Sequence, residues 1–167
     1  MNKYYIKYIS LLPVFVLIQI LILNEILFSS YINPYLYLIL IIRFPLNGSK
    51  WFFLFYAFIL GFFIDIFSGT LGFHSTATVF IAFIRKAISK ITIPHNIIGD
   101  NEYITLKKIG SKSFITFSLF IILAHNTSLF LLEHLAINLS ISSKILASSL
   151  VTLVLILILE IYNFEKK

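Results

Sequence analysis

Residues 51–85 read WFFLFYAFILGFFIDIFSGTLGFHSTATVFIAFIR, and they indicate the kind of fold most directly. Two apolar runs lie on either side of a short turn, Ser-Gly-Thr-Leu-Gly at residues 68–72. A helix that crosses a bilayer uses roughly 20 residues, and each run approaches this length. The first run contains a single acid, Asp65, and the second ends at Arg85. The pattern predicts a hairpin of two transmembrane helices joined by a tight connection.

The rest of the chain has the same apolar character. It has 167 residues, of which 59% are hydrophobic and 12% are charged, with a mean hydropathy of +0.98. A soluble domain carries about 25% charged residues, so too few polar residues are present to cover a water-soluble globule. The composition predicts an all-α integral membrane protein. The absence of cysteine excludes disulfide frameworks, thiolate metal sites and cysteine nucleophiles.

Hydrophobic runs predict about six transmembrane helices in a single transmembrane domain, residues 1–167. The expected spans cover residues 8–23, 33–46, 51–67, 73–89, 114–132 and 145–162. The one sizeable polar connection is residues 94–112, which we expect to be a solvated cytoplasmic loop near anionic headgroups or a docking surface for a cytoplasmic partner.

The first two spans need separate comment. The first ends at Asn24 and Glu25 without a small-residue cleavage site, which predicts an uncleaved span rather than a signal peptide. Asn33 and Pro34 suit the N-cap and first helical position of the second span. Because its apolar run is short, this helix either begins earlier, near residue 26, or lies behind other helices with Arg43 reaching the membrane surface.

The basic residues predict the orientation. Six spans put both termini on one side, and twelve of the thirteen basic residues then fall on that side: Lys3, Lys7, Arg43, Lys50, Arg85, Lys86, Lys90, Lys107, Lys108, Lys112, Lys166 and Lys167. Only Lys144 falls on the other side. The positive-inside rule therefore predicts an N-in, C-in topology. In a membrane protein this charge does not indicate nucleic acid, and membrane lipid is the expected neighbour.

Asp65 is the most informative polar residue inside a span. Ala57, Gly61, Asp65 and Gly69 recur every four residues, so they share one helical face on which a second helix can approach closely. We expect the acid to face the helix bundle rather than lipid. Three roles stay open for it: capping the outer turn by accepting from the amides of Gly69 to Gly72, contacting a partner or ligand, and carrying protons or ions.

His125 and Asn126 lie near the middle of the fifth span. We expect them to hydrogen-bond to another helix, with a ligand contact as the alternative. Gln19, Glu25 and Glu160 lie near span ends, where solvation or a reach toward the headgroups is the expected state.

Motifs of enzymes and metal sites are missing from the sequence. The four histidines lie in different segments without metal-ligand spacing, so we predict neither a metal nor a cofactor. There is no G-x-S-x-G, H-E-x-x-H or P-loop pattern, which argues against an enzyme, although tertiary contacts can still assemble a site.

The run from Gly61 to His74 resembles the MreD family of bacterial rod-shape-determining membrane proteins. That family carries glycine and aspartate on one helix, a short glycine-containing outer turn, and then a histidine and another span. The stretch Asn33-Pro34-Tyr35-Leu36 is similar to Bacteroidota-like members. The resemblance transfers a structural or interaction motif to six positions: Pro34, Gly61, Asp65, Gly69, Gly72 and His74.

The resemblance implies a non-enzymatic scaffold subunit of the cell-elongation (rod) complex in the bacterial cytoplasmic (inner) membrane. Such a subunit helps to position peptidoglycan synthesis and maintain cell shape. The implied partners are an MreC-like single-span periplasmic protein, an MreB-like filament, a RodA-type glycosyltransferase and a class B penicillin-binding protein. In such a scaffold Ala57, Gly61 and Gly69 would allow close packing of helices, including a partner's span.

The family is also similar in fold to the six-helix substrate-binding subunits of energy-coupling-factor (ECF) transporters. A substrate-binding membrane subunit of a vitamin-type transporter is therefore the alternative function. Those subunits commonly carry an Ala-x-x-x-Ala pattern in their first span for docking to the coupling subunit. Residues 11–23 contain no pair of small residues at that spacing, which favours the scaffold.

Overall fold

The computed structural model describes residues 3–25, 32–94, 97, 103–135 and 139–165. These form seven α-helices and one π-helical segment, Gln19–Leu23, which continues the first helix. The α-helices are α1 (Lys3–Ile18), α2 (Leu38–Arg43), α3 (Lys50–Ser68), α4 (Phe73–Thr92), α5 (Leu106–Ile109), α6 (Ser111–His134) and α7 (Leu139–Glu165). The predicted all-α class is confirmed for the described residues.

Within the described ranges, four helical stretches are long and apolar enough to cross a membrane. They are Tyr5–Leu23, Lys50–Ser68, Ser111–His134 and Leu139–Tyr162, and they match the first, third, fifth and sixth expected spans. The fourth expected span forms α4, which has 20 residues but carries Arg85, Lys86 and Lys90 in its second half. It has the length of a span without the same apolar composition.

The second expected span, residues 33–46, is not one long helix. Its helix α2 has only six residues, Leu38–Arg43, which rise about 9 Å at 1.5 Å per residue. Asn33 and Pro34 precede it in non-helical backbone, so the prediction that they begin a helix is wrong. Side chains from elsewhere bond this backbone instead, with Ser148 accepting from the amide of Asn33 and Gln19 donating to the carbonyl of Pro34, which is the physical reason for this difference.

Side chains from distant segments bind the backbone before α2. The amide of Asn33 donates to Ser148 Oγ at 3.1 Å, and the amide of Tyr35 donates to Thr152 Oγ1 at 3.0 Å. The amide of Leu36 donates to Gln19 Oε1 at 3.1 Å. Non-helical backbone at membrane depth is tolerated only where protein buries it and satisfies its amides, and both conditions hold here.

Gln19 and the residues of α2 lie in the interior. Leu38 to Ile42 are buried, which agrees with the alternative that the second segment lies behind other helices. Gln19 is only 1% exposed and also donates to the carbonyl of Pro34 at 2.8 Å. The expectation that Gln19 reaches the membrane surface is therefore wrong.

Contacts between neighbouring helices show their relative directions and define two ends of the helix bundle. In the parallel pair α1 and α3, the rings of Tyr5 and Phe52 lie 4.4 Å apart at one end, and Asn24 donates to Ser68 Oγ at the other. Helix α4 packs antiparallel on α3 and on α6, and α7 packs on α6. We call the end that holds Lys7, Arg43 and Arg85 the basic end, and the opposite end the Asp65 end.

Part of the expected loop at residues 94–112 folds onto the basic end. Helix α5 lies within it, and the amide of Leu106 donates to Glu160 Oε2 at 3.3 Å. Glu160 is 3% exposed, and its Oε1 lies 3.2 Å from Arg43 Nη1. The expectation of a solvated Glu160 is therefore wrong. The loop is solvated only in part: Ile104 and Ile109 are buried, whereas the lysines at 107, 108 and 112 are exposed. Residues 95–96 and 98–102 of the loop lie outside the described residues.

Candidate functional site

Two glycines shape the turn between α3 and α4. Gly69 follows the last residue of α3 with φ +67°, and Gly72 precedes α4 with φ +86°. Both values lie in the left-handed region that glycine enters without a steric penalty. The amides of Gly69 and Thr70 donate to the main-chain carbonyl of Asp65, which closes the end of α3. The chain thereby reverses within four residues.

The carboxylate of Asp65 caps the start of α4. Its Oδ1 accepts from the amide of His74, and its Oδ2 accepts from the amide of Ser75, each at 2.9 Å. The hydroxyl groups of Thr70 and Ser75 donate to the same carboxylate. The first amides of a helix have no partner within it, and the N-cap residue Gly72 has no side chain to supply one. An acid from the preceding helix fills this role, and its charge is favourable at a helix N-terminus.

We call Asp65, Thr70, His74 and Ser75 the hairpin lock. Asp65 is 4% exposed, and its Oδ1 also lies 3.1 Å from Nδ1 of His74. The amides that its carboxylate holds are those of His74 and Ser75, not those expected at residues 69–72. The difference arises because α4 begins directly after the turn and directs its free amides back toward α3.

The small-residue face of α3 packs on α4 of the same chain. A Cβ built on Gly61 would lie 2.4 Å from the Cα of Ser75, so only glycine fits this crossing. Four residues earlier, the carbonyl of Ala57 accepts from Thr78 Oγ1 at 2.9 Å. Gly69 takes no part in the close approach, because a Cβ there would meet nothing within 4 Å. This face is therefore occupied within the chain and is not open to a partner's span.

His125 and Asn126 join three helices in the interior. Both are fully buried, and His125 Nδ1 lies 3.1 Å from Oδ1 of Asn126. The Nε2 of His125 lies 3.0 Å from the hydroxyl of Tyr37, next to α2. Asn126 Nδ2 donates to Ser149 Oγ on α7 at 2.8 Å. The arrangement links helices, as expected for polar groups at membrane depth.

Two tyrosines connect the hairpin lock to the His125 pair. The ring of Tyr35 lies 6.0 Å from that of His74 and 5.4 Å from that of His125. The ring of Tyr37 lies 6.5 Å from His74 and 5.7 Å from His125. Sequence reasoning missed both tyrosines, because they look like ordinary residues of an apolar run. No local pattern singles them out, because their partners lie in other helices.

At this site, buried polar groups form hydrogen bonds with one another. Asp65 receives its hydrogen bonds from groups of the same chain, and His74 contacts both Asp65 and Thr70. In the part of the chain that the structure describes, no group of three or more histidine or acidic side chains is placed to hold a metal ion. The site is built to hold α2, α3, α4, α6 and α7 in one arrangement.

The hydrogen bond between Asn126 and Ser149 permits a first prediction. In a double-mutant cycle of Asn126→Ala and Ser149→Ala, we expect a coupling energy of about 0.6 to 1.7 kcal/mol, as is typical of interhelical hydrogen bonds in membranes. The measurement is the free energy of unfolding in mixed micelles titrated with a denaturing detergent. A matched cycle of Asn126→Ala with Ser143→Ala, whose hydroxyl donates to Ser140, should give none. Equal coupling in both cycles would contradict the assignment.

These features define a class of protein. Four apolar helices of membrane-crossing length, tied together by a buried polar network, make the chain a multi-pass helical membrane protein. No protein-family model, curated protein or solved structure matches the chain.

Proposed function

We propose that this chain is a non-enzymatic scaffold subunit of MreD type in the cell-elongation complex of the bacterial cytoplasmic membrane. The observation that supports this proposal most directly is the hairpin lock. Within the run that resembles the family motif, Asp65 hydrogen-bonds to Thr70 and His74, and the adjoining Ser75 fills its remaining acceptor positions. An arrangement of this kind supports a role in holding helices rather than in reacting with a substrate.

The proposal includes six membrane crossings with both termini in the cytoplasm. Residues 33–35 add at most roughly 10 Å at about 3.3 Å per residue. Residues 36–37 form a turn with helical backbone at Tyr37, and α2 adds about 9 Å, so this segment covers only part of the 30 Å of a bilayer. Lys7, Arg43 and Arg85 lie together at the basic end of the bundle, as the proposed cytoplasmic side requires. Lys144 lies away from them, with its Nζ 5.0 Å from the ring centroid of Phe130.

A partner's single span needs an apolar surface that the chain leaves uncovered. Helix α3 presents such a stripe at exposed positions spaced by three and four residues: Trp51, Phe55, Phe58, Phe62 and Ile66. The rings of Phe58 and Phe62 stack at a centroid distance of 5.7 Å. We assign the MreC-like partner to this aromatic stripe, and cytoplasmic components such as an MreB-like filament to the basic end. A RodA-type glycosyltransferase and a class B penicillin-binding protein complete the proposed assembly.

The aromatic stripe gives a second prediction. In Phe58→Ala/Phe62→Ala, we expect the affinity for the MreC-like partner from the same genome to fall about tenfold or more, because truncating central aromatic contacts typically costs over 1 kcal/mol each. The measurement is co-purification of the two full-length proteins from membranes. The matched control is Phe120→Ala/Leu131→Ala, two exposed apolar residues on α6. Equal retention by both pairs would contradict the assigned surface.

The proposed function has a direct cellular test. Depletion of the protein in its host should abolish the regular pattern of wall insertion and round rod-shaped cells. Unchanged shape and insertion pattern in depleted rods would overturn the proposal. A neighbouring gene that encodes one span and a periplasmic coiled coil would support it. A vitamin retained through purification would instead favour the transporter alternative, against which the close packing of Tyr35, Tyr37, His74 and His125 argues.

A further inference from the structure

A cavity of about 430 Å³ opens at the basic end beside the start of α3 and the second half of α4. Among the described residues, three cations line it, namely Lys50, Arg85 and Lys86, and no acidic residue does. The other large cavity at this end contains Arg43 together with its acidic partner Glu160. The first cavity therefore has positive charge that its own lining does not balance.

Arg85 is the buried cation of this cavity. It is 3% exposed, and its Nη2 donates to the carbonyls of Ile42, at 3.0 Å, and Phe44. Its Nε is buried without a hydrogen-bond partner. Within the described residues the guanidinium pairs with no carboxylate. A buried charge without a counter-charge is costly. An anion in the cavity would supply both the missing counter-charge and a hydrogen-bond acceptor for Nε.

The lining is suited to an amphipathic anion. Lys50 and Lys86 are exposed at the cavity, and Nζ of Lys50 lies 5.3 Å from the ring centroid of Phe83. Phe83 is 64% exposed and Trp51, next to Lys50, is 83% exposed. Tryptophan favours the headgroup level of a membrane, and exposed rings beside the cations provide a surface for acyl chains. Guanidinium and ammonium groups together match the oxygens of a phosphate.

We propose that this cavity binds the phosphate of an anionic phospholipid headgroup, with Arg85 below the phosphate and Lys50 and Lys86 at its rim. The acyl chains lie along Phe83, which lines the cavity. The site depends on neither the proposed scaffold function nor any partner. Basic pockets between transmembrane helices are a recurring way to hold acidic lipids, and this one is assembled from the α2–α3 connection and α4.

The test uses the single tryptophan of the chain, Trp51, as a reporter. The full-length protein is placed in nanodiscs of neutral phosphatidylcholine that contain a small fraction of brominated phosphatidylglycerol or, separately, brominated phosphatidylcholine. Bromine quenches a nearby indole, so the ratio of the two quenching constants measures selectivity for the anionic lipid around Trp51, which is next in sequence to the rim residue Lys50. We expect a ratio well above one for the unaltered chain.

Variants identify the residues that carry the selectivity. Because Arg85 also holds the carbonyls at the end of α2, the test changes the rim instead. In Lys50→Gln/Lys86→Gln, we expect the relative affinity for the anionic lipid to fall roughly 25-fold, since each lysine near an anionic surface contributes about fivefold. The matched control is Lys90→Gln/Lys112→Gln, which removes the same charge from exposed positions outside the cavity lining and should keep most of the selectivity.

The last part of the experiment distinguishes the phosphate of a lipid headgroup from that of a soluble compound. Inorganic phosphate at millimolar concentration should leave the quenching by the anionic lipid unchanged. Displacement of the lipid by phosphate would overturn a lipid site and assign a site for a soluble phosphate compound. A quenching ratio near one in the unaltered chain, or equal losses in both double variants, would overturn the proposal altogether.

Discussion

Replacing Gly61 with alanine is expected to lower the free energy of unfolding by about 3 kcal/mol, at the upper end of the usual penalty for overpacking. The new Cβ would lie 2.4 Å from the Cα of Ser75 and 2.6 Å from its amide nitrogen. Both are backbone atoms of α4, so no side-chain rotation relieves the clash. Separation of α3 from α4 would also stretch the hydrogen bonds between Asp65 and the start of α4. We expect Gly61→Leu to yield no folded monomer.

The matched control for this prediction is Gly69→Ala, directly after the last residue of α3. A Cβ at Gly69 meets nothing within 4 Å, so only its positive φ is strained, at about 1 to 2 kcal/mol. Both variants are measured by unfolding in detergent micelles and by the folded fraction in size-exclusion chromatography. A Gly61→Ala protein as stable as the unaltered chain, or less affected than Gly69→Ala, would refute the close crossing.

Asp65→Asn is expected to destabilise the protein by about 3 kcal/mol, because hydrogen bonds to a charged group are each worth about 1.5 to 3 kcal/mol. The substitution keeps the size of the side chain but leaves a single acceptor oxygen. Its amide nitrogen must then face either the amide of His74 or that of Ser75, and two donors cannot pair. The start of α4 also loses the negative charge that its N-terminus favours. The measurement is again the free energy of unfolding in micelles.

Two controls separate the cap from a general effect of lost charge. Glu25→Gln removes an exposed acid at the same end of the bundle and should change stability by no more than about 0.5 kcal/mol. Ser75→Ala removes one hydroxyl that donates to the charged carboxylate but keeps the backbone amide, so we expect a loss of about 1.5 kcal/mol, smaller than that of Asp65→Asn. If Asp65→Asn and Glu25→Gln behave alike, Asp65 does not cap α4.

The α3–α4 hairpin shows how much the sequence can predict. The apolar runs at residues 51–67 and 73–89 agree with α3 and α4 to within three residues. The spacing of Ala57, Gly61 and Asp65 placed all three on one interior face. Such features are local, since helix length, helix periodicity and glycine turns depend on residues within one or two turns of each other. Nearby residues could not predict which amides Asp65 caps, because this depends on where α4 begins.

The segment before α2 shows the opposite case. Its amides at Asn33 and Tyr35 donate to hydroxyl groups of α7, more than a hundred residues later in the chain. Gln19 supplies a further acceptor from a π-helical segment that hydropathy does not reveal. Hydropathy averages over a window, so it reads Gln19 and Glu160 as polar residues near span ends. Both residues are buried only because other segments of the chain pack against them.

The sequence by itself determined that the chain is helical and enters the membrane, because a bilayer admits long apolar helices and few charges. It also determined the hairpin at Asp65, since an acid among small residues has few stable surroundings in lipid. Only the tertiary structure decided which groups satisfy one another: Asp65 with the start of α4, Asn126 with Ser149, and Arg43 with Glu160. The physical reason is that a buried polar group must find a partner, and the partner is set by helix neighbours rather than by sequence distance.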